Sequence, residues 1–383
     1  MLISILRFEQ YYVIIAHDFS KEEGSRVSAV NDMNGKKNVA IVGFGGMGRW
    51  HAHQIRKREV CDLIGVYDIR NECMEYAERK GINTYSSFEE VLSDGRVDII
   101  VIATENDMHK PLAIEAMDRG HNVVTEKPVT LSSADLAEMI EASKRNGVLF
   151  TTHQNRRWDG DFLSIKKIIE DGTIGPVFNI ESRVHGSRGI PGDWRGKKEH
   201  GGGMMLDWGV HLLDQIVNAM FPDKKIESVC ATMDHVTNQE VDDGFHMIMM
   251  LEGGVRVCVE VGTSNFIELP RWYVQGENGT ASTPWDLSQG KIVCCTDWEA
   301  KDAVPIKTAA GITKTMAPRT DDTIKEVPFP LIEGDVHDFY RNLVDAIDGK
   351  AEQIVTHEQL MKVMKLMETA FESDRTGNVI RLN

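Results

Sequence analysis

Three residues of this chain have side chains suited to moving a proton at an alcohol. Asp207 and His211 are four residues apart in a segment of helical composition, so they share one helix face. The ordinary pKa of an imidazole suits a general base, and the ammonium of Lys127 can stabilise a developing alkoxide. Oxidation of a secondary alcohol needs such a base and cation, together with a hydride acceptor. We interpret Asp214, three residues further along this face, as a supporting group.

A glycine-rich turn indicates where the hydride acceptor would bind. The run Gly43-Phe44-Gly45-Gly46-Met47-Gly48 has the pattern G-x-G-x-x-G, follows a predicted strand and opens a predicted helix. The three glycines of the pattern permit a tight turn, close approach of the backbone to a pyrophosphate, and close packing of helix on strand. The free N–H groups of the helix start favour phosphate. This context predicts a dinucleotide site.

The residues at the end of the second predicted strand bear on the choice of cofactor. Asp68 would accept hydrogen bonds from the adenosine ribose, and its charge repels a 2′-phosphate. NAD is therefore the predicted cofactor. Arg70 leaves NADP open because an arginine can pair with that phosphate, and we include Ile69 in the predicted site with these two residues.

The elements that must position these residues change character along the chain. Strands and helices alternate over residues 38–152, and the apolar run Val97–Ala103 is typical of a strand buried on both faces. This pattern predicts a doubly wound parallel Rossmann sheet, with Lys127 at the carboxyl end of a strand, where ligands bind. Longer strands and a Gly-containing hairpin at 251–255 then predict a C-terminal α+β domain with a large, mainly antiparallel sheet. Residues from about 296 to 330 are predicted to be loops, before two closing helices.

These patterns give three predicted regions. Residues 1–36 form an extension without a secretory h-region, expected to be poorly ordered. Residues 37–153 form the NAD-binding domain, and residues 154–383 form a substrate-binding and oligomerisation domain.

Composition narrows the partners and the compartment. The chain of 383 residues has a formal net charge of −16, which disfavours nucleic acid and anionic membranes as partners. Its six cysteines form no CxxC pair, which indicates reduced thiols in a cytoplasmic protein. No metal site is expected, because His51 and His53, at i and i+2, point to different helix faces.

Two further motifs connect the chain to a known family. They are Glu126-Lys127-Pro128 and the segment GGGMMLDWGVHLLDQ at 201–215. With them, residues from about 38 to 383 resemble the Gfo/Idh/MocA oxidoreductases, which include glucose–fructose oxidoreductase and inositol dehydrogenases. The resemblance implies that Lys127 orients and polarises the substrate oxygen, that His211 takes the proton, that Asp207 contacts the substrate or tunes this pair, and that Lys127–Pro128 is a cis bond. The family usually has a proline where this chain has Glu105.

The candidate site extends to residues on both sides of these motifs. The nicotinamide side is predicted to include Thr104, Asn106, His109, Glu126 and Lys127, with a structural role for His109 equally open. Indole faces and arginines suit sugar rings and their hydroxyls. The predicted substrate-binding residues are Arg156, Trp158, His185, Trp194, Arg195, Asp207 and His211.

The sequence supports one function and leaves alternatives. The predicted function is NAD-dependent oxidation of a ring secondary alcohol in a sugar, inositol or glycoside, for example to a 3-oxo sugar. An alternative is an NAD-dependent glycosidase or lyase that oxidises transiently and recycles a tightly bound cofactor, or a sugar–sugar transhydrogenase. A non-catalytic nucleotide-sensing regulator is disfavoured, because it would need no proton relay.

The second domain is also expected to form the contact between subunits. The consecutive apolar residues Met247 to Met250 imply cover on both faces of their strand. In the resembled family, such sheets form dimers and tetramers. A homo-oligomer is therefore expected.

Overall fold

The computed structural model describes residues 35–300 and 303–382, which divide into two compact units, one ending at Ala103 and the other starting at Thr104. Almost all of the predicted extension at 1–36 lies outside the described residues, and that expectation stays a prediction.

The first unit places the glycine turn at a point where the chain reverses its winding. Strand β1 (Lys37–Val42) lies between β2 (Cys61–Tyr67) and β3 (Ile99–Ile102) and is parallel to both. All four residues of β3 are buried and apolar, as expected of a strand covered on both faces. Because the chain runs from β1 to β2 on one side and later to β3 on the other, a crevice forms at the carboxyl end of β1. The helices of this unit are α1 (Gly46–Ile55), α2 (Asn71–Arg79) and α3 (Phe88–Ser93).

The second unit begins with the remaining Rossmann elements. They are α4 (His109–Asp118), β4 (Asn122–Thr125), α5 (Ser133–Asn146) and β5 (Phe150–Thr152), and β4 is parallel to β5. Both ends of α5 are capped: the Ser132 hydroxyl accepts the Asp135 N–H, and Gly147 takes φ 62° after the helix. Strands β1 to β5 constitute a five-stranded parallel sheet, which confirms the predicted Rossmann architecture.

A nine-stranded sheet dominates the rest of the second unit. Its order is β15-β12-β11-β10-β6-β9-β8-β7-β16. The pair β6–β9 is parallel and every other neighbouring pair is antiparallel, so the predicted mainly antiparallel sheet is confirmed. Its strands are β6 (Val177–His185), β7 (Ile226–Asp234), β8 (Gly244–Leu251), β9 (Val255–Gly262), β10 (Trp272–Gly276), β11 (Gly279–Thr283), β12 (Lys291–Cys295), β15 (Ile324–Val327) and β16 (Ile380–Arg381).

The prediction that residues 296–330 are loops was wrong in part. Strand β15 lies within that range and pairs with β12 to extend the sheet edge. A separate hairpin joins β13 (Ile306–Thr308) and β14 (Gly311–Thr313). These short strands are polar or exposed, and hydrogen bonds to a neighbouring strand stabilise them. They lack the apolar alternation by which a strand is recognised in a sequence.

The other helices of the second unit are α6 (Gly160–Glu170), α7 (Val210–Asp214), α8 (His337–Ile347) and α9 (His357–Thr376). Of these, α9 packs against β7 of the large sheet, whereas Phe339 of α8 contacts His153 and Trp158. One stripe of α9 is part of the core, since Leu360, Val363, Met364 and Met367 are buried. Ser373 of α9 accepts the Ala231 N–H of β7 at 3.0 Å. In the part of the chain that the structure describes, no helix has both the length and the apolarity needed to cross a membrane.

Candidate active site

The glycine turn after β1 is built to receive a phosphate group. A Cβ on Gly48 would lie 2.0 Å from the Gly43 carbonyl oxygen, so only glycine lets α1 pack this closely on the turn. A Cβ on Gly46 would meet no described atom within 4 Å, and no side chain caps the first amides of α1. The open surface and the uncapped amides fit a dinucleotide pyrophosphate.

Asp68 and Arg70 form a compact ion pair at the end of β2. The Asp68 carboxylate accepts the Phe44 N–H at 2.6 Å and two bonds from the Arg70 guanidinium, both at 3.1 Å. Burial alone would raise the pKa of Asp68, but the hydrogen bonds from Arg70 and Phe44 outweigh it and the pKa falls below its ordinary value. The carboxylate is therefore ionised, and half of the Arg70 side chain stays exposed.

The start of the second unit carries two anchored polar side chains. Asn106 is buried and donates to the Gly201 carbonyl at 2.9 Å. The fully buried ring of His109 lies between the carbonyls of Pro128, at 2.9 Å from Nδ1, and Thr104, at 3.3 Å from Nε2. Burial lowers the pKa of His109, so the ring is neutral and its single N–H donates to one of these two carbonyls. This supports the structural role left open for His109, while the Thr104 hydroxyl bonds the carbonyl of the next residue.

Lys127 follows β4, and its neighbours hold it in place. The Lys127–Pro128 bond is cis, as the resemblance implied. Glu126 is buried, accepts the Lys127 N–H at 3.1 Å and lies 2.9 Å from Nδ1 of His153. Glu126 therefore has a buried partner within the protein, His153. Its place in the cofactor site stays a prediction.

The predicted Lys127 and Asp207 are brought together directly. The Lys127 ammonium donates to Asp207 Oδ1 at 2.7 Å and to the Asp207 carbonyl at 2.9 Å. Arg195 donates to the other carboxylate oxygen at 3.2 Å. Burial would raise the pKa of Asp207, but the charges of Lys127 and Arg195 outweigh it and lower the pKa. Asp207 is thus a carboxylate shared by two cations.

His211 lies on the predicted helix, whose geometry is unusual. Helix α7 is flanked by π-helical turns at Met205–Gly209 and Gln215–Met220, and we call the whole segment the site helix. Asp207 and His211 are on adjoining turns of it. His211 is buried, and its Nδ1 has no hydrogen-bond partner among the described residues. Burial lowers the pKa of His211 far below its ordinary value, and the charges of Lys127 and Arg156 lower it further.

Sequence reasoning missed Trp208, which contacts this imidazole, and Trp285, which contacts Trp208. The Trp208 ring meets His211 edge-on at 6.0 Å and Trp285 at 6.2 Å, and the Arg156 guanidinium lies 4.2 Å from its centroid. Trp208 sits inside the Asp207-x-x-x-His211 motif, so its position alone was a usable signal. Trp285 is remote in sequence and gave none.

The neighbouring arginines separate into two roles. Arg156 forms an ion pair with Asp159 at 2.8 Å, and its charge lowers the pKa of His211. Arg157 forms a bidentate pair with Asp214, with both distances 2.6 Å, and both residues are buried. The interpretation of Asp214 as a supporting group is consistent with this pair, which joins the site helix to the segment before α6.

The other predicted substrate residues have partners elsewhere. Trp158 contacts Phe339 edge-on at 5.9 Å, and the Trp194 ring lies 4.6 Å from the Arg195 guanidinium. His185, on β6, lies 3.0 Å from Glu260 and accepts the Leu269 N–H. None of these three shares a hydrogen bond or ion pair with Lys127, Asp207 or His211 in the described structure, and their substrate contacts stay predictions.

A Rossmann sheet with a glycine turn suited to phosphate, and a second unit that contains the Lys127–Asp207 pair and the buried His211, are typical of a dinucleotide-dependent oxidoreductase. The model of the oxidoreductase family with an NAD-binding Rossmann fold matches residues 37–154, and that of the GFO/IDH/MocA C-terminal domain matches residues 162–282. The chain belongs to the Gfo/Idh/MocA family.

Individual relatives agree with this assignment. An NAD-binding protein from Listeria innocua has a solved structure that superposes with a TM-score of 0.87 at 46% identity, covering 91% of this chain and 99% of that one. The scyllo-inositol 2-dehydrogenase (NADP(+)) IolW of Bacillus subtilis is 24% identical over 91% of this chain and 98% of its own. A myo-inositol 2-dehydrogenase of Thermotoga maritima is 27% identical over 53% of this chain and 60% of its own.

Proposed function

We propose that this protein is an NAD-dependent dehydrogenase that oxidises a ring secondary alcohol of a sugar, inositol or glycoside. The observation that carries the proposal is the buried His211 ring, whose Nδ1 has no partner within the described residues, on the same helix as the Lys127-paired Asp207. A buried nitrogen without a hydrogen-bond partner costs about 1–3 kcal/mol in a folded protein, and a substrate hydroxyl can supply the missing partner.

His211 is the general base. Its lowered pKa keeps the ring neutral at neutral pH, so a ring nitrogen is free of a proton and can accept the one released by a hydroxyl. The edge of Trp208 limits the movement of the ring, which preserves its orientation toward the substrate.

Lys127 stabilises the alkoxide that forms. An ammonium has three N–H donors, and two of them bond to Asp207. The third is available to the substrate oxygen, and the two bonds to Asp207 hold the amine in place before the substrate arrives. Asp207 in turn is held by Arg195, which fixes the geometry of the pair.

The residues of the first unit fit the cofactor. The glycine turn would hold the pyrophosphate, and Asp68 would bind the adenosine ribose. The bound nicotinamide supplies the hydride acceptor that the alcohol oxidation requires. The ionised Asp68 favours NAD. Arg70, which pairs with Asp68 and is half exposed, could instead pair with a 2′-phosphate, so NADP is the competing cofactor.

The substrate class rests on the relatives and on the side chains near His211. Two curated relatives are named as inositol dehydrogenases, and their substrates are ring polyols. Trp208, Trp285 and Arg156 offer the aromatic surface and the N–H donors that hydroxylated rings bind.

The test is NADH absorbance with a panel of inositols, free sugars and glycosides. Continuous NADH formation with one compound is expected. A signal that stops near one equivalent per subunit would contradict simple dehydrogenation and would point to a retained, recycled cofactor.

Variants then test the roles of the two residues. His211→Ala is expected to lower kcat by about 10²–10⁴-fold, with NAD binding measured by fluorescence unchanged. Lys127→Met is expected to lower kcat by about 10²–10³-fold. His246→Ala, at a mostly exposed histidine of the large sheet, is the matched control and should keep full rate. A His211→Ala enzyme with normal turnover would refute the assignment.

A further inference from the structure

Glu105, Asp107 and His200 form a cluster of three ligand-type side chains that the proposed reaction does not use. Glu105 and Asp107 flank Asn106 at the start of the second unit. His200 ends a short turn at Lys198–His200, just before the glycines that lead into the site helix. We call these three residues the carboxylate–histidine cluster.

The donor atoms of this cluster converge at ion-pair distances. His200 Nδ1 lies 3.2 Å from Glu105 Oε2 and 3.4 Å from Asp107 Oδ1, and the three atoms lie within 4.8 Å of one another. His200 Nδ1 and Asp107 Oδ1 are both buried, and neither has a hydrogen-bond partner in the described structure. Buried polar atoms are rarely left this way, because an unmade hydrogen bond costs about 1–3 kcal/mol.

The separations match the edges of a metal coordination shell. Zinc binds imidazole nitrogen and carboxylate oxygen at about 2.0–2.1 Å, so neighbouring donors of a tetrahedral site lie about 3.3–3.4 Å apart. The two distances from His200 Nδ1 are close to this value. A cation between these atoms would satisfy both of the buried groups.

The scaffold keeps the cluster assembled without help from an ion. Asn106 donates to the Gly201 carbonyl at 2.9 Å and so joins the two segments that carry the three donors. Glu105 stands where the family usually has proline, so its carboxylate is an addition that hydride transfer does not require. The net charge of −16 further favours a cation.

We propose that Glu105, Asp107 and His200 bind a divalent transition-metal ion of the zinc type, with solvent at the remaining position. The imidazole ligand favours zinc and similar transition metals over magnesium and calcium, which prefer oxygen donors alone. Such an ion would tie the segment of Asn106 to the segment that contains Trp194 and Arg195. Because Arg195 holds Asp207, metal binding would stiffen the surroundings of the candidate active site.

The ion was not expected from sequence, since the histidine lies far along the chain from the two carboxylates. The competing explanation is an ion pair between the two carboxylates and His200. Glu199 adds a further carboxylate, 3.6 Å from His200 Nε2, to that arrangement. Metal binding separates the two explanations, because an ion pair alone takes up no cation stoichiometrically.

The experiment uses the full chain, freed of metal with a chelator and titrated with Co²⁺. One equivalent per chain is expected to bind, with visible ligand-field bands and without the near-ultraviolet thiolate band that cysteine ligands would give. Calorimetry with Zn²⁺ should give the same stoichiometry, and the thermal midpoint should rise with zinc concentration.

Variants locate the ion. His200→Ala should weaken Co²⁺ binding by more than the roughly 10–100-fold typical of losing a supporting partner. Glu105→Pro should do likewise and still fold, because Glu105 has φ −68°, which proline adopts. Glu199→Gln is the matched control and should leave binding unchanged.

Absence of stoichiometric binding, or equal binding by His200→Ala, would overturn the proposal. Neither outcome depends on turnover, so the dehydrogenase assignment would be unaffected.

Discussion

Arg156 lies where its charge acts on the candidate base. Its guanidinium stacks on Trp208, and Trp208 contacts His211, so a positive charge is held close to a buried imidazole. Burial has the largest effect on the pKa of His211, followed by the charges of Lys127 and Arg156, and all three lower it. The pKa of the candidate base is thus set by its neighbours as well as by its own chemistry.

Arg156→Gln is expected to move the acid limb of the kcat/KM profile to higher pH. His211 must be neutral to accept a proton, so activity falls as pH drops through its pKa. Removing a positive neighbour makes protonation easier and raises that pKa. Stopped-flow rates over a pH series would measure the shift. Arg156→Lys keeps the charge and should leave the limb in place; equal shifts in both variants would contradict the electrostatic account.

At the residue scale, Asp68 and Arg70 are also expected to set the preference between NAD and NADP. Asp68→Ser removes the charge that repels a 2′-phosphate, and the NAD-to-NADP ratio of kcat/KM should fall by about 100-fold, equivalent to about 3 kcal/mol. Arg70→Gln should raise the ratio instead, because the remaining carboxylate loses its counter-charge. Steady-state kinetics with both cofactors decides this, and a ratio unaffected by either change would remove Asp68 from the site.

At the scale of elements, Asp242 fixes the start of the site helix. Its carboxylate accepts the Met205 N–H at 2.7 Å, and its carbonyl accepts the Met204 N–H at 3.0 Å. Gly203, with φ 107°, lies so close that a Cβ there would be 2.2 Å from Asp242 Oδ1. Burial raises the pKa of Asp242 to about 7, although these hydrogen bonds oppose the shift. The helix that carries Asp207 and His211 therefore begins on a buried carboxylate whose pKa is raised.

Asp242→Asn is expected to change how stability depends on pH. With a folded pKa of about 7 and an unfolded value near 3.8, the native state holds the extra proton between these pH values. Wild-type stability is therefore lost through this group as pH rises from about 4 to 7, and is level above that. The asparagine variant lacks this loss, so its free energy of unfolding should improve relative to wild type across the same range.

Its neighbour supplies the control. Burial would raise the pKa of Asp243, but bonds from the amides of Thr237, Val236 and Asn238 outweigh it and lower the pKa. Asp243 therefore stabilises the protein at neutral pH and loses that effect in acid, so Asp243→Asn should be most harmful above pH 4. Urea unfolding of both variants from pH 4 to 8 makes the comparison. Parallel curves for the two would contradict the assigned pKa directions.

At the scale of the whole molecule, the outer face of the nine-stranded sheet is the surface where the contact between subunits is expected. Met247 and Met249 of β8 are buried on the helix-covered face, whereas Ile248 between them is 46% exposed. Ile248 lies between Cys230 and Cys258 on the neighbouring strands. The chain itself thus covers one side of this strand, and the expected cover on the other side would have to come from a second subunit.

Ile248→Asp is expected to convert an oligomer into a smaller species. A charge at the centre of an apolar contact must be desolvated on association, which costs several kcal/mol. Light scattering coupled to size exclusion measures the mass of each variant. Ile312→Asp, at an equally apolar and exposed position of the β13–β14 hairpin, serves as control and should not change the mass. A wild-type monomer at micromolar concentration would end the hypothesis.

The sequence by itself determined the features that depend on short spacing. The glycine turn, the acidic residue after β2, the caps of α5 and the common face of Asp207 and His211 follow from residues that are close along the chain, where backbone geometry dictates what meets what. The alternation of strands and helices likewise fixed the Rossmann architecture, because strands buried on both faces must be apolar throughout.

Only the tertiary structure decided which distant groups share an environment. Three contacts join residues from separate segments: Arg156 with Trp208, Arg157 with Asp214, and Glu105 with His200. Strands β11, β12 and β15 are stabilised by backbone bonds to a neighbour, which local composition does not reveal. The pKa directions of His211 and Asp242 follow from burial, a property of the packed chain, so no spacing along the sequence determines them.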